Sequence, residues 1–278
     1  MLGKLIKHEF RATGRTMLPL FVVLSVMSVV AGFSMRHLEF SLAQTPAFVE
    51  IVLILLFAAF FIVMVATVVM AFVIMISRFY KNLLGDEGYL MLTLPVNAHS
   101  HVWAKLIVSG IWFLATAALI FVLMLLLALI ISGSDIAGII AEMPTFKEMF
   151  AQFLDYSGYN GLSLTVFAIE FVVIAIVGVL NTCLNFYAAM AIGHSFSNRK
   201  VLYSVLAFVG ISIVFSIFES VLAMFMGESF SNSIMLNYRN FAYSLNWLML
   251  QGLLLAVIET VPLYFVTTYC LKKRINLA

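Results

Sequence analysis

Charge is what this chain has least of. Only 10% of its 278 residues are Asp, Glu, Lys or Arg, against 64% hydrophobic residues. Soluble domains carry about 25% charged residues, so a water-soluble globular body is excluded. Cations and anions nearly cancel, leaving a formal charge of +2, and the basic residues gather at the edges of apolar runs. A nucleic-acid partner would need a concentrated basic patch, which is missing. Cysteine is equally sparse. Cys183 and Cys270 both fall inside or at the end of apolar runs, so they read as small packing residues and not as a disulfide framework. There is no GxxxxGK[ST] phosphate loop, no HExxH, no GxSxG and no CxxC. The chain therefore carries no recognisable means of holding a nucleotide by itself and no hydrolytic or redox constellation.

Long apolar runs are what the sequence does have, and the mean hydropathy is +1.13. Six of them approach or exceed the roughly 20 residues needed to cross a bilayer: about 17–35, 49–77, 106–131, 162–192, 201–226 and 245–271. The fold class expected is therefore an all-α integral membrane protein with six transmembrane helices, organised as a single membrane domain over residues 1–278. Residues 1–16 precede the first span. At 100° per residue Leu2, Leu5, Ile6, Phe10 and Thr13 share one arc, and Lys4, Lys7, Arg11 and Arg15 the opposite one. That pattern predicts an amphipathic basic helix lying in the membrane surface. A cleaved signal peptide would also begin with basic residues, but the apolar run that follows is longer than a signal core, so retention is expected.

Orientation follows from the cations. Arg36, Lys147 and Arg239 fall on one side, and the other twelve of the fifteen lie in the N-terminal helix, residues 78–106, residues 193–200 and the C-terminal tail. The positive-inside rule puts both termini in the cytoplasm, which an even number of spans requires. On the outer side, residues 132–159 form the longest segment, where Thr145 and Glu148 make a capping box and Phe146, Met149, Phe150 and Phe153 recur at helical spacing. Residues 227–244 are expected to be a short outer connection.

Two places hold chemistry. The first is the cytosolic loop 78–106. Gly85, Asp86, Glu87 and Gly88 form a turn, after which Tyr89, Leu90, Met91 and Leu92 make a short apolar and aromatic knob, ended by Leu94, Pro95 and Val96. An apolar segment exposed in a water-filled loop calls for a partner surface, unless it folds back onto the bilayer interface. The close histidines of this loop, His99 and His101, are too few to hold a metal and read as a polar helix start. The second place is inside the last three spans. Glu170 shares a face with Asn181 and Asn185, Glu219 with Ser216, and Glu259 with Gln251 and Pro262. Intramembrane carboxylates are costly and point to function, here the lining of a substrate path. The plainer reading is interhelical glue satisfied by Asn, Ser and Gln neighbours.

The N-terminal KLIKHEFRATGR and the loop YKNLLGDEGYLMLTLPV with Lys105 beyond it resemble permease subunits of bacterial ATP-binding-cassette exporters of the type-2 export family. The resemblance extends in topology over the whole chain. It implies that Asp86, Glu87, Gly88, Tyr89, Leu90, Met91 and Leu92 form a coupling helix, with Leu94, Pro95 and Val96 as its exit. That helix would dock on a separate ATPase subunit that holds the ATP and Mg. It further implies a second permease, identical or paralogous, in the bacterial inner membrane, and alternating access as the mechanism, with no bond chemistry and no cofactor in this chain. A gradient-driven carrier using the intramembrane glutamates is the alternative. The cargo is open among peptides, drugs, lipids and polysaccharides, with a small or membrane-partitioned molecule favoured by the short outer loops.

Overall fold

The computed structural model describes residues 2–41, 46–85, 97–133, 164–196, 199–236 and 238–273. Among these residues every regular element is a helix: α1 Leu2–Ser41, α2 Ala47–Phe79, α3 Ala98–Ser132, α4 Leu164–Gly193, α5 Lys200–Leu236 and α6 Tyr238–Lys273. Each contains a stretch long and apolar enough to cross a membrane, from 23 residues in α5 to 38 in α2 and its continuation. The protein is thus a multi-pass membrane protein. Helices suit this composition because hydrocarbon offers no hydrogen bonds, so every backbone group must be satisfied within its own segment.

Three boundaries differ from the sequence reading. The basic segment and the first apolar run belong to one helix, which passes through Pro19 without ending. Helix α2 does not stop before Arg78 but continues as a π-helical turn, Tyr80–Leu84, closed by the Gly85 amide donating to the Tyr80 carbonyl at 2.8 Å. Much of the short connection expected at 227–244 is helical, because α5 runs on to Leu236 and α6 begins at Tyr238. The segment has one glycine and no proline, so its composition lets the helices extend well past the apolar runs. The outer segment with Thr145 and Glu148 lies outside the described residues.

The chain divides into two compact units. One comprises Ile6–Met75 and Ile111–Lys147. Its core is apolar: Leu24 and Ala31 of α1, Phe60 of α2, and Leu123 and Leu127 of α3. Gly32 lets α1 approach α3 closely, since a Cβ there would stand 3.0 Å from Ile130. At one end Phe10 stacks on Trp112 at 4.9 Å, Phe21 meets the same indole edge-on, and Trp112 Nε1 donates to Thr13 Oγ1 at 2.7 Å. Lys7, Arg11 and Arg15 remain exposed there, while Thr13, Gly14 and Met17 are buried. At the other end Gly133, at φ +67°, closes α3 in the left-handed conformation, with Arg36 Nη2 3.3 Å from where its Cβ would be.

The other unit comprises Met1–Leu5, Ile76–Gly110 and Glu148–Ala278. Within it α4 packs on both α5 and α6. Gly193 sits at the tightest point, where a Cβ would collide with the Ser204 backbone nitrogen and hydroxyl, so any side chain would force α5 away from α4. The end of α2 and the start of α3 join this unit through stacked rings and hydrogen bonds.

Candidate functional site

The polar residues of α4, α5 and α6 resolve into two separate groups. Near the start of α4, Glu170 accepts two hydrogen bonds from Asn246 Nδ2 of α6, at 3.0 Å on Oε1 and 2.8 Å on Oε2. Both carboxylate oxygens are thereby engaged, and Glu170 is satisfied as an interhelical clasp. Asn246 was not among the candidate residues. It lies on the side of Glu259 away from the helix C-terminus, thirteen residues earlier, and only the helix offset reveals that it meets Glu170.

About 16 Å further along α4, by the 1.5 Å rise per residue over eleven positions, lies the second group. Asn181 Nδ2 donates to Glu259 Oε2 at 2.6 Å. That contact fixes the amide orientation, since only the nitrogen can donate to a carboxylate. Asn181 Oδ1 then points elsewhere and has no partner, and neither has the other carboxylate oxygen, Glu259 Oε1. One turn along the same face of α4, Asn185 Oδ1 is buried and unpartnered too. Glu219 of α5 reaches the Glu259 carboxyl closely enough to act on it both as a like charge and as a hydrogen-bond neighbour. Glu259 is only 5% exposed, whereas Glu219 is exposed, so a surface acid stands before a buried one.

The remaining path candidates fit around this core less directly. Ser216 is exposed on α5 one turn before Glu219, and its carbonyl accepts from Ser220 Oγ at 2.7 Å. Gln251 is half-buried on α6, two turns before Glu259. The structure therefore brings together Asn181, Glu219 and Glu259, places Asn185 beside them, and sets Glu170 apart.

The loop between α2 and α3 is the other candidate. Asp86, Glu87, Gly88, Tyr89, Leu90, Met91, Leu92, Leu94 and Pro95 lie outside the described residues. Its two roots are described. On the near side Phe79 stacks on Tyr187 of α4, with centroids 3.9 Å apart and planes at 10°, and both rings are fully buried. Tyr187 Oη shares a 3.0 Å hydrogen bond with Ser109 Oγ of α3. Tyr80 meets His194 edge-on. On the far side, buried Lys105 donates from Nζ to the Arg78 carbonyl at 3.1 Å, putting a cation on the C-terminal end of α2. His99 is clasped from both nitrogens, Nδ1 by Tyr264 Oη at 2.8 Å and Nε2 by Lys272 Nζ at 2.9 Å. Lysine can only donate, so Nδ1 is the nitrogen that donates to Tyr264. His99 therefore has no free ring nitrogen for a metal, and the described residues contain no group of three or more metal-type ligands.

His194 ends α4. Burial pushes its pKa below the ordinary value, its bond to the Met190 carbonyl opposes that, and the Lys200 charge adds to the lowering. It also borders a concavity of about 280 Å³ between α2, α4 and α5, lined by Ile76, Tyr80, Phe186, Val205 and Phe208 and by none of the path residues. No family model, curated protein or solved structure matches this chain.

Proposed function

We propose that this chain is the membrane-spanning permease subunit of an ATP-binding-cassette exporter in the bacterial inner membrane. A separate ATPase subunit holds ATP and Mg and performs the hydrolysis, and a second permease completes the assembly. The observation that carries this reading is mechanical. Both roots of loop 86–96 belong to the same compact unit as α4, α5 and α6. A push on the loop is delivered through Phe79 to Tyr187, six residues or about 9 Å along α4 from Asn181. A partner that docks on Tyr89 and Leu92 can therefore move the helix that carries the intramembrane polar group. Twelve cations on one side keep the termini and this loop in the cytoplasm, with the first turns of α1 at that membrane boundary.

The cycle is alternating access: the ATPase pair closes on ATP, the loop moves as a lever, and α4 to α6 exchange inward- and outward-facing packings. The permease contributes a bistable path and no bond chemistry. Purification in mild detergent from the native host tests this directly. A phosphate-loop protein should co-purify, and Tyr89→Ala with Leu92→Asp should release it while the permease stays in the membrane. A chain that purifies alone and transports without ATP overturns the reading.

One observation favours a second reading. The contact of Glu219 with Glu259 is the kind of acid pair through which a gradient-driven carrier would exchange ions. Transport that follows an imposed ion gradient and ignores ATP would select it.

A further inference from the structure

We infer that the group around Glu259 is a binding site for a cation bearing several N–H donors, a protonated primary amine on an apolar body. The inference rests on the reading of this chain as a transporter and names its class of cargo, but it does not depend on ATP being the driver. Its basis is a mismatch of donors and acceptors. Glu259 Oε1, Asn181 Oδ1 and Asn185 Oδ1 are all buried acceptors, and none receives a hydrogen bond from an N–H of the protein. They belong to neighbouring positions: Asn181 touches Glu259, and Asn185 lies one turn from Asn181 on the same helix face. One N–H of Asn181 Nδ2 is engaged by Glu259 Oε2, and no amide donor reaches the three orphan oxygens. Glu219 adds a second carboxyl against the first, and such a pair must either share a proton or be neutralised by a cation. A site whose unsatisfied buried atoms are all acceptors, with two carboxyls among its members, is complementary in a low-dielectric setting to a positively charged donor.

The number of orphan acceptors decides which cation. Hard divalent metals take six or more oxygen ligands, and the three orphan oxygens, even with Glu219, fall short of that shell. An ammonium has three N–H groups, as many as there are orphan oxygens. A quaternary ammonium has none and would leave all three unsatisfied. The surroundings suit an amphiphile. Glu219 and Ser216 are exposed on α5 among Ile213, Ile217 and Phe218, which are exposed as well, so a charged head can pass the outer acid while its apolar body stays against the helix. Glu259, behind them, is the terminal acceptor.

The test uses the full chain in nanodiscs of phosphatidylcholine, with empty nanodiscs correcting for partition into lipid. The probe is monodansylcadaverine, a fluorescent primary amine, and its N-acetyl derivative, which keeps the apolar body and removes the charge, is the control. Saturable binding should weaken roughly tenfold or more on acetylation, since the lost contacts are charge-assisted. Glu259→Gln, which preserves shape, and Asn185→Leu should each weaken the amine and leave the acetylated probe unaffected. Equal binding of the two probes by the unaltered protein overturns the inference without recourse to any variant. So does Glu259→Gln with undiminished amine binding. Loss of the ATPase partner's co-purification would sink the exporter reading and leave this binding result standing, so the two failures are distinguishable.

Discussion

The two compact units treat polarity in opposite ways. In the unit of Ile6–Met75 and Ile111–Lys147, intramembrane hydroxyls are satisfied locally. Thr67 bonds the Val63 carbonyl, Thr116 that of Trp112, and Ser25 that of Phe21, while Ser28 reaches the Leu123 carbonyl across to α3. A hydroxyl that returns its proton to the backbone one turn back contributes no demand of its own. In the other unit Asn181, Asn185 and Glu259 bury oxygens that nothing satisfies. That unit keeps unpartnered acceptors in the middle of its spans, the feature on which the proposed amine site rests.

Truncating one buried ring in each unit breaks the comparison most strongly. Phe79 is 0% exposed and Phe60 is 1% exposed, so each change to Ala should cost about 3 kcal/mol of stability. Only Phe79→Ala should also lower transport per ATP hydrolysed, because it removes the stack on Tyr187. Thermal unfolding in detergent beside transport and ATPase rates in proteoliposomes checks both arms. Equal uncoupling by Phe60→Ala would remove the special role of the loop root.

A smaller effect sharpens the polarity contrast. Asn181→Leu leaves Glu259 without its donor, and hydrogen bonds to charged groups contribute about 1.5–3 kcal/mol. Ser28→Ala should cost no more than the roughly 0.6 kcal/mol average for hydrogen bonds between membrane helices. Transport should fall sharply in the first variant and stay near normal in the second. A silent Asn181→Leu would return the Glu259 group to the status of interhelical glue.

The smallest effect concerns pH. His194 has its pKa lowered in the fold, so the unfolded chain binds more protons than the folded one between the two values. Stability should therefore rise with pH up to about 6.5 and be lost as pH falls through the folded value. The slope should vanish in His194→Gln, as measured by unfolding at a series of pH values.

Much of this was legible without coordinates. The six spans were, because hydrocarbon permits few alternatives to a helix once an apolar run exceeds its thickness; the last three agree within about four residues at each end, while the first three run further into polar sequence than their apolar runs. The positions of Glu170, Asn181 and Glu259 on their own helices were legible by the 3.6-residue period. The continuation of α2 to Leu84 and of α5 to Leu236 was not, because polar side chains end an apolar run without ending a helix. The clasp of Glu170 by Asn246 was not either.

What the sequence by itself determined is therefore the class of protein, the number of spans and which helices carry carboxylates. These are properties of single segments in contact with lipid, and each segment settles them alone. Tertiary structure decided the partners: Glu170 satisfied by Asn246, Glu259 held by Asn181 and faced by Glu219, and Phe79 set on Tyr187. Pairing depends on the rotation and axial offset of one helix against another. Those two quantities come from side-chain packing between helices, and no periodicity within one helix contains them.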